Sequence, residues 1–422
     1  MQCSSQKCLD RQITLDSARV EVKTPLPRGK LSGNWRNNFL VSWGSTGNAV
    51  FHRTCWDFLV KAVQARSKPD VTISAAEKAL IKEAAKTAEY HDSLNYLKQE
   101  AAKVAKLIKE SSHCVAFTGA GISTAAGIGD YRGKEGKWTE QDQSIVDIGS
   151  LIDHGVLTPP QKCIVEDDLK GSDEEGTDGI PYEELRPTYT HEALYKLMQE
   201  GKVAHIISQN GDGLHGLSGV PGEHLSELHG NVFIEKCGKC QKRYKRSYYV
   251  MDDVSSQYYE ELEGEGKTDI KRPRHAQKCK LCGLCHRTGR KCNNGKCHGF
   301  LEDTIINFRD NLEKEILETA EANAVQCDLM LCLGTTLQVT PACDLVDLIQ
   351  KSGTLLICNR QKTDRDRKCS QKGLNGIRVY GDCDTLMRAV MKQLLLSTDM
   401  ENWDRERVER MKHYDKQRDE TK

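Results

Sequence analysis

The run CVAFT at 114–118, carried straight into TGAGIST, constrains this chain most. Five uncharged residues, too few for a helix stripe, read as a strand with both faces buried. The glycines that follow mark a tight turn. The pattern recurs. Short apolar runs rich in β-branched residues stand at 203–208, 329–334, 355–359 and 377–380, with helical stretches at 190–200, 341–351 and 384–396 between them. Strands alternating with helices predict an α/β fold, a parallel sheet with helices on both faces.

At 422 residues the chain has room for two or three domains. Its 61 basic and 61 acidic side chains cancel, so net charge says nothing of a polyanionic partner. No apolar run reaches the ~18 residues of a membrane helix, and MQCSSQKCLD lacks the apolar stretch of a signal peptide. The sequence therefore argues against a membrane or secreted protein. Reducing conditions are then the default, and the clustered cysteines read as metal ligands rather than disulfides. Seven of the 18 cysteines fall at 237–297, while most of the scattered ones read as small buried hydrophobes.

Residues 1–60 hold Trp35, Trp43 and Trp56 together with Cys3, Cys8, His52 and Cys55. The C-x4-C and H-x2-C pairs have metal-ligand spacing; an aromatic cluster with incidental cysteines is the alternative. Residues 72–88 read as a helix with capping-box spacing between Ser74 and Glu77. A second amphipathic helix covers 92–110, with Leu94, Leu97, Ala101, Val104, Ala105 and Ile108 on one stripe. The two helices read as a connecting segment. An acidic, glycine-rich stretch within 163–181 reads as a mobile loop. The tail from 400, with 7 basic and 7 acidic residues, reads as a frayed helix or solvated tail.

Gly119 and Gly121 stand where strand turns to helix. There backbone N–H groups and the helix dipole favour a pyrophosphate, and glycine allows its close approach. The spacing is G-x-G-x5-G rather than G-x-G-x-x-G, so an ordinary tight turn is an equal reading. Asp130, Tyr131 and Arg132 follow, a charged aromatic patch suited to folding over a ligand.

GAGIST with DYRG, SQNGDGLH at 208–215, ELHGN at 227–231 and GTTLQV at 334–339 occur in an order that resembles the sirtuins, NAD-dependent protein deacylases. The resemblance covers roughly 93–396. ELHGNVFIEKCGKC, TGRKC and LEDTIINF look most like class IV, the nuclear chromatin-associated branch. The resemblance implies a Rossmann-type NAD domain with a small zinc-binding domain inserted in it, and an acyl-lysine peptide bound with NAD in the cleft between them. It divides the chain into an N-terminal extension over 1–90, a catalytic domain over 91–396 and a charged tail over 397–422. An acidic loop over 163–186 and a zinc module over 232–300 would interrupt the catalytic domain.

Family chemistry makes His229 the general base, suited to it by an ordinary pKa of ~6.5. The products would be free lysine, nicotinamide and O-acyl-ADP-ribose. Gln209, Asn210 and Asp212 would line the nicotinamide–ribose pocket, with Asn210 and Asp212 beside His229 in catalysis. Gly119, Ala120, Gly121 and Ser123 would hold the phosphates, and Asp130, Tyr131, Arg132 and Trp138 would form the cofactor loop. Gly334, Thr335, Thr336 and Gln338 would contact the adenosine side, Asn359 and Gln361 its ribose, and Cys383 the adenine. The plain alternatives are an Asx-rich turn at 209–212, strand-end capping by Thr335 and Thr336, and a structural histidine at 229. Gly211 stands where the family carries a side chain and is expected to loosen its turn. Gly129 and Lys134 replace two family prolines, which predicts a more mobile cofactor loop.

Cys237 and Cys240 supply the first pair for a structural zinc. Anchoring on TGRKC and on LEDTI selects Cys292 and Cys297 as the second. Cys279, Cys282 and Cys285, near His286 and His298, would be a further metal site, redox-sensitive thiols or neither. Basic runs at Lys242, Arg243, Lys245 and Arg246 and at Lys271, Arg272 and Arg274 fit a nuclear-localisation or nucleic-acid patch, or a solvated face. The resemblance implies a histone substrate, nucleosome or DNA contact, and a nuclear location. Two other readings stand beside the deacylase: a mono-ADP-ribosyltransferase using the same cleft, and a weakly catalytic NAD- and chromatin-binding adaptor.

Overall fold

A computed structural model describes residues 1–24, 40–44, 47–65, 73–129, 180–251, 279–370 and 375–419. The expected features at Trp35, Asp130, Tyr131, Arg132, Lys134, Trp138, 163–179, Lys271, Arg272 and Arg274 lie outside them.

The N-terminal part builds its own small layer. Strands β1 (Arg19–Lys23), β2 (Asn48–His52) and β3 (Glu89–His91) form an antiparallel sheet in the order β2-β1-β3. Helices α1 (Arg53–Gln64) and α2 (Ala75–Lys86) cover it, and Val20, Phe51, Trp56, Leu59 and Ile81 are its core. The expected connecting segment is therefore no connector, because α2 and β3 belong to this module. Ser74 does cap α2, accepting the N–H of Glu77 at 3.2 Å. The reciprocal half of the capping box is absent: the Glu77 carboxylate accepts the N–H of Val41 instead, at 3.0 Å.

Helix α3 (Leu94–Glu110) opens the main domain, with Ser93 as its N-cap. Then come β4 (Cys114–Thr118), α4 (Tyr189–Gln199), β5 (His205–Ser208), the short α5 (Leu214–Ser218) and β6 (Leu225–Glu227). After an insertion follow α6 (Lys314–Gln326), β11 (Leu329–Leu333), β12 (Thr354–Cys358), α7 (Asp366–Ser370), β13 (Gly376–Val379) and α8 (Cys383–Leu394). The sheet order is β13-β12-β11-β4-β5-β6, and every pairing is parallel. The chain leaves β4 toward β5 and β6, then returns to β11 on the other side. The order thus reverses between β4 and β11, and in such sheets the ligand crevice opens at the carboxyl ends of those strands.

Each strand feeds two cores because successive side chains point to opposite faces. Cys114, Ala116, Leu329 and Leu331 join the apolar layer under α3, α4 and α8. Val115, Phe117, Met330 and Cys332 join the opposite layer with Ala320 and Ala324 of α6. The stretch expected as a helix at 341–351 is a 3-10 run, Ala342–Leu348.

The insertion is a four-stranded antiparallel sheet. It contains β7 (Ile234–Cys237), β8 (Arg243–Lys245), β9 (Arg287–Lys291) and β10 (Phe300–Asp303), in the order β8-β7-β10-β9. Its basic residues are partly spent in ion pairs: Arg246 pairs with Glu235 inside the sheet, and Arg243 with Glu313 at the start of α6.

The C-terminal residues correct the tail expectation. Residues Ser397–Asp419 form helix α9, docked on the main domain. Met400, Trp403 and Tyr414 are buried, and Trp403 meets Tyr189 edge-on with ring centroids 5.1 Å apart. Balanced charge concealed a stripe at 400, 403, 407, 410 and 414. Two of its five places are arginines, Arg407 and Arg410, which turn inward to the buried carboxylate of Glu192.

Candidate active site and metal centre

The crevice at the switch point is floored by three glycines. After β4, Gly119 leads into the 3-10 turn Ala120–Ile122, and after β11 comes Gly334 at φ +64. Gly121 donates its N–H to the Gly334 carbonyl at 2.8 Å. A Cβ on Gly119 would come within 2.7 Å of Thr335 Cβ, and one on Gly334 within 2.4 Å of the Ile122 nitrogen. Two backbones touch here with no room for side chains, and the N–H groups of Gly119, Gly121 and Gly334 are bonded to the carbonyls of Leu333, Gly334 and Cys358. The bare main chain allows the close approach that phosphates expected at Gly119, Ala120 and Gly121 would need.

The turn after β5 supplies the polar side chains. Asn210 donates from Nδ2 to the Gly119 carbonyl and to Ser123 Oγ, each at 3.2 Å. Ser123 Oγ donates to Asp212 Oδ2 at 2.6 Å, and Asp212 Oδ1 accepts the N–H of Leu214 at 2.9 Å. All three residues are buried. Gln209 accepts at Oε1 from the Thr335 hydroxyl at 2.7 Å. Thr335 Oγ in turn accepts the N–H of Leu337, whose φ is +54. A leucine held in left-handed backbone beside a crevice is the kind of local strain that functional sites retain. Spacing in the sequence gives no sign of it.

His229 follows β6, beside this turn. Its Nδ1 lies 2.8 Å from the backbone oxygen of Gln209. A carbonyl only accepts, so Nδ1 carries the proton and the neutral ring keeps its lone pair on Nε2. Burial pushes its pKa below 6.5, against the smaller opposite pull of the Gln209 carbonyl. The ELHGN loop is braced on both sides of the ring. Asn231 donates to Glu227 at 2.7 Å, and Ile306 donates its N–H to the His229 carbonyl at 3.0 Å. Burial lifts the Glu227 carboxyl to about 7.

The remaining expected residues spread along the opposite edge. Asn359 and Gln361 are buried and bonded to each other, Nδ2 to Oε1 at 3.1 Å. Thr336 is half-buried and Gln338 exposed. Cys383 begins α8 with its thiol turned inward onto the Cys358 carbonyl, 3.6 Å away. Only its backbone is left to face a ligand. Two buried features went unread in the sequence. His215 bonds Thr118 Oγ at 2.9 Å and lies 4.7 Å, centroid to centroid, from His191. Arg418, at the end of α9, sets its guanidinium 3.8 Å from the Phe233 ring centroid; burial, with Arg186 nearby, pushes its pKa down to about 10.

In the inserted module Cys237, Cys240, Cys292 and Cys297 bring their sulfurs within 4.8 Å of one another. The distances are 3.7 Å for Cys237–Cys297 and 3.6 Å for Cys240–Cys292. Those spacings are far too long for a disulfide. They match the roughly 3.8 Å between sulfurs of a tetrahedral zinc with ~2.3 Å bonds. The structure thus brings the C-x4-C pair and the C-x2-C pair together. Of the other three cysteines, Cys279 and Cys282 gather with His286 and Asp310, whereas Cys285 and His298 lie outside that group.

The Sir2 family profile matches residues 119–341, from the first glycine of the crevice through the zinc module. The NAD-dependent protein deacetylase SRT1 of Arabidopsis thaliana is 34% identical over 308 residues, 73% of this chain and 52% of that protein. The NAD-dependent protein deacetylase Sirt6 of Drosophila melanogaster is 33% identical, covering 67% and 73%. The NAD-dependent protein deacetylase sirtuin-7 of Homo sapiens is 32% identical, covering 72% and 62%. The chain spans about half the length of the first curated relatives it matches. It belongs to the Sir2 family. Among the described residues no helix is long and apolar enough to cross a membrane.

Proposed function

We propose that this protein is an NAD-dependent protein-lysine deacylase acting on histone tails in the nucleus. The observation that carries the reading is the imidazole of His229, fixed by the Gln209 carbonyl beside the buried Asn210–Ser123–Asp212 chain. Bound NAD would supply a ribose carbon open to attack, with nicotinamide as the leaving group. The chain's own residues then have separate tasks. The glycine floor takes the phosphates, because no side chain stands between them and the main chain there. Asn210 and Asp212 offer an amide and a carboxylate to hydroxyls and a carboxamide. His229, neutral at pH 7, accepts a proton at Nε2 from a hydroxyl. The four cysteines would hold zinc that ties β7, β9 and the loops after them into one module, with no part in the chemistry. The likeness to proteins named deacetylases supports the activity, and the class IV motifs support histones and the nucleus.

Mass spectrometry of NAD turnover tests this, with acetyl- and long-chain-acyl-lysine histone peptides, with and without nucleosomal DNA. O-acyl-ADP-ribose formed by the protein and not by His229→Ala is the expected result. Nicotinamide released with the acyl group still on the peptide would point to ADP-ribosyl transfer instead. No turnover by a zinc-loaded, NAD-binding protein would sink the reading and favour an adaptor.

A further inference from the structure

The N-terminal module carries a second constellation, remote in sequence from the crevice. Residues 1–13 contain no helix or strand beyond isolated bridges, Gln2 to Gln12 and Ser5 to Val41. Backbone bonds nevertheless lay this segment against the β1–β2 hairpin. Cys3 donates its N–H to Arg11 at 2.7 Å, Ser4 donates to Val50 at 2.7 Å, and Cys8 closes a turn onto Ser5 at 3.2 Å. The result places Cys3 and Cys8 over the junction where β2 ends at His52 and α1 begins, one turn before Cys55.

The ligand atoms of Cys3, Cys8, His52 and Cys55 all lie within 4.8 Å of one another. Cys8 Sγ is 3.5 Å from His52 Nδ1. The other ring nitrogen, Nε2, is 3.2 Å from the backbone oxygen of Gln12. That oxygen can only accept, so Nε2 carries the proton and the Nδ1 lone pair is aimed at the three sulfurs. A carbonyl that fixes the tautomer and orientation of an imidazole is the usual outer partner of a metal-bound histidine. A disulfide would use two of the sulfurs and leave the third thiol and the oriented ring unexplained.

We propose that Cys3, Cys8, His52 and Cys55 bind a zinc ion, separate from the one at Cys237, that folds the N-terminal module. Three thiols and an imidazole are a soft tetrahedral set that suits zinc. Binding releases the three thiol protons to solvent; three thiolates, a neutral imidazole and Zn²⁺ leave the site with one net negative charge. The ion joins the bridge-only segment to the hairpin and to α1, which otherwise rely on a small apolar core and short strands. The module in turn abuts the far edge of the crevice. Tyr90 donates its N–H to Arg360 at 2.8 Å, and Gln361 Nε2 reaches Glu89 at 3.5 Å. Loss of this zinc is therefore expected to loosen the segment that carries Asn359 and Gln361 while the Cys237 module stays folded.

The test uses the full chain purified under reducing conditions, with zinc counted by elemental analysis and native mass spectrometry. A Cys8→Ser/Cys55→Ser variant is expected to hold one zinc fewer per chain than the parent, and X-ray absorption at the zinc edge to lose nitrogen scattering. A Cys240→Ser/Cys292→Ser variant should lose a different, all-sulfur ion. An unchanged zinc count in the first variant overturns the proposal. Should that variant fail to fold, alkylation of the parent decides. Cys8 and Cys55 should resist alkylation until a zinc chelator is added. Ready alkylation without chelator, or a disulfide between any two of the three cysteines, overturns it.

Discussion

His229 gives its Nδ1 proton to the carbonyl oxygen of Gln209, 2.8 Å away, and that bond decides which ring nitrogen is left to accept another. Burial holds the imidazole pKa below 6.5. The base is then already neutral at pH 7. Turnover should be level above neutrality and fall only as pH drops through a value below 6.5. His229→Ala should lower turnover by about 10²–10⁴-fold and remove that acid limb. NAD binding, followed by calorimetry, should survive the change. A limb at the same pH in the variant would show that another group carries it.

Gly230 and Gly211 face each other but have opposite requirements. Gly230 has φ +79, and a Cβ there would fall 1.7 Å from the Thr304 carbonyl oxygen. Gly211 needs no such conformation, and its Cβ would rest 3.5 Å from the Gly230 oxygen, an ordinary contact. Gly230→Ala should cost at least about 1–3 kcal/mol, since the loop bearing His229 must move. Gly211→Ala should stabilise by about 0.4–1 kcal/mol through a less flexible unfolded chain. Urea unfolding of both variants checks this, and equal effects would refute the distinction.

Glu192 is 2% exposed and accepts from Arg407 Nε at 2.7 Å, Arg410 Nε at 3.0 Å and the Tyr414 hydroxyl at 3.2 Å. Removing the carboxylate leaves two arginines without their buried partner. Glu192→Ala should cost about 3–5 kcal/mol and open α9 to proteolysis. Breaking the exposed pair of Lys412 and Glu409 should cost no more than about 1 kcal/mol. Thermal melts with limited proteolysis measure both. A mild Glu192 effect would mean that α9 is held chiefly by its buried apolar contacts at Met400, Trp403 and Tyr414.

What could be read in the sequence was whatever repeats locally. Five of the six strands of the main sheet announced themselves by apolar runs, and their alternation with helices implied the parallel order. The glycine floor was legible as G-x-G, although its partner across the crevice, Gly334, took its place only through the resemblance. Contacts distant in sequence were hidden. Nothing near Glu192 says that arginines more than two hundred residues later will reach it, so α9 read as tail. Glu77 has capping-box spacing, yet its carboxylate serves the Val41 N–H, a contact 36 residues away that spacing within the helix does not announce. The four cysteines of the inserted module were chosen among seven by their neighbours in the chain. Their sulfur distances come from β7 and β9 packing on either side of β10.

The buried histidines set the acid limit of the fold. His191 and His215 are enclosed with their rings 4.7 Å apart, and burial pushes each pKa down to about 3. His205 and His91 are pushed down to about 4, again chiefly by burial. Unfolded, all four titrate near 6.5. Above that pH neither state takes up a proton, and stability does not change on their account. As pH falls from 6.5 toward 4 and then 3, the unfolded chain binds protons that the native state refuses, so stability drops throughout that window. Melting temperature should be flat above neutrality and fall steadily below 6.5. Zinc loss at low pH would add to the fall, and His191→Gln separates the two. It removes one buried imidazole without touching a metal ligand, so the slope between pH 6.5 and 4 should become shallower. An unchanged slope would assign the acid sensitivity to the metal sites instead.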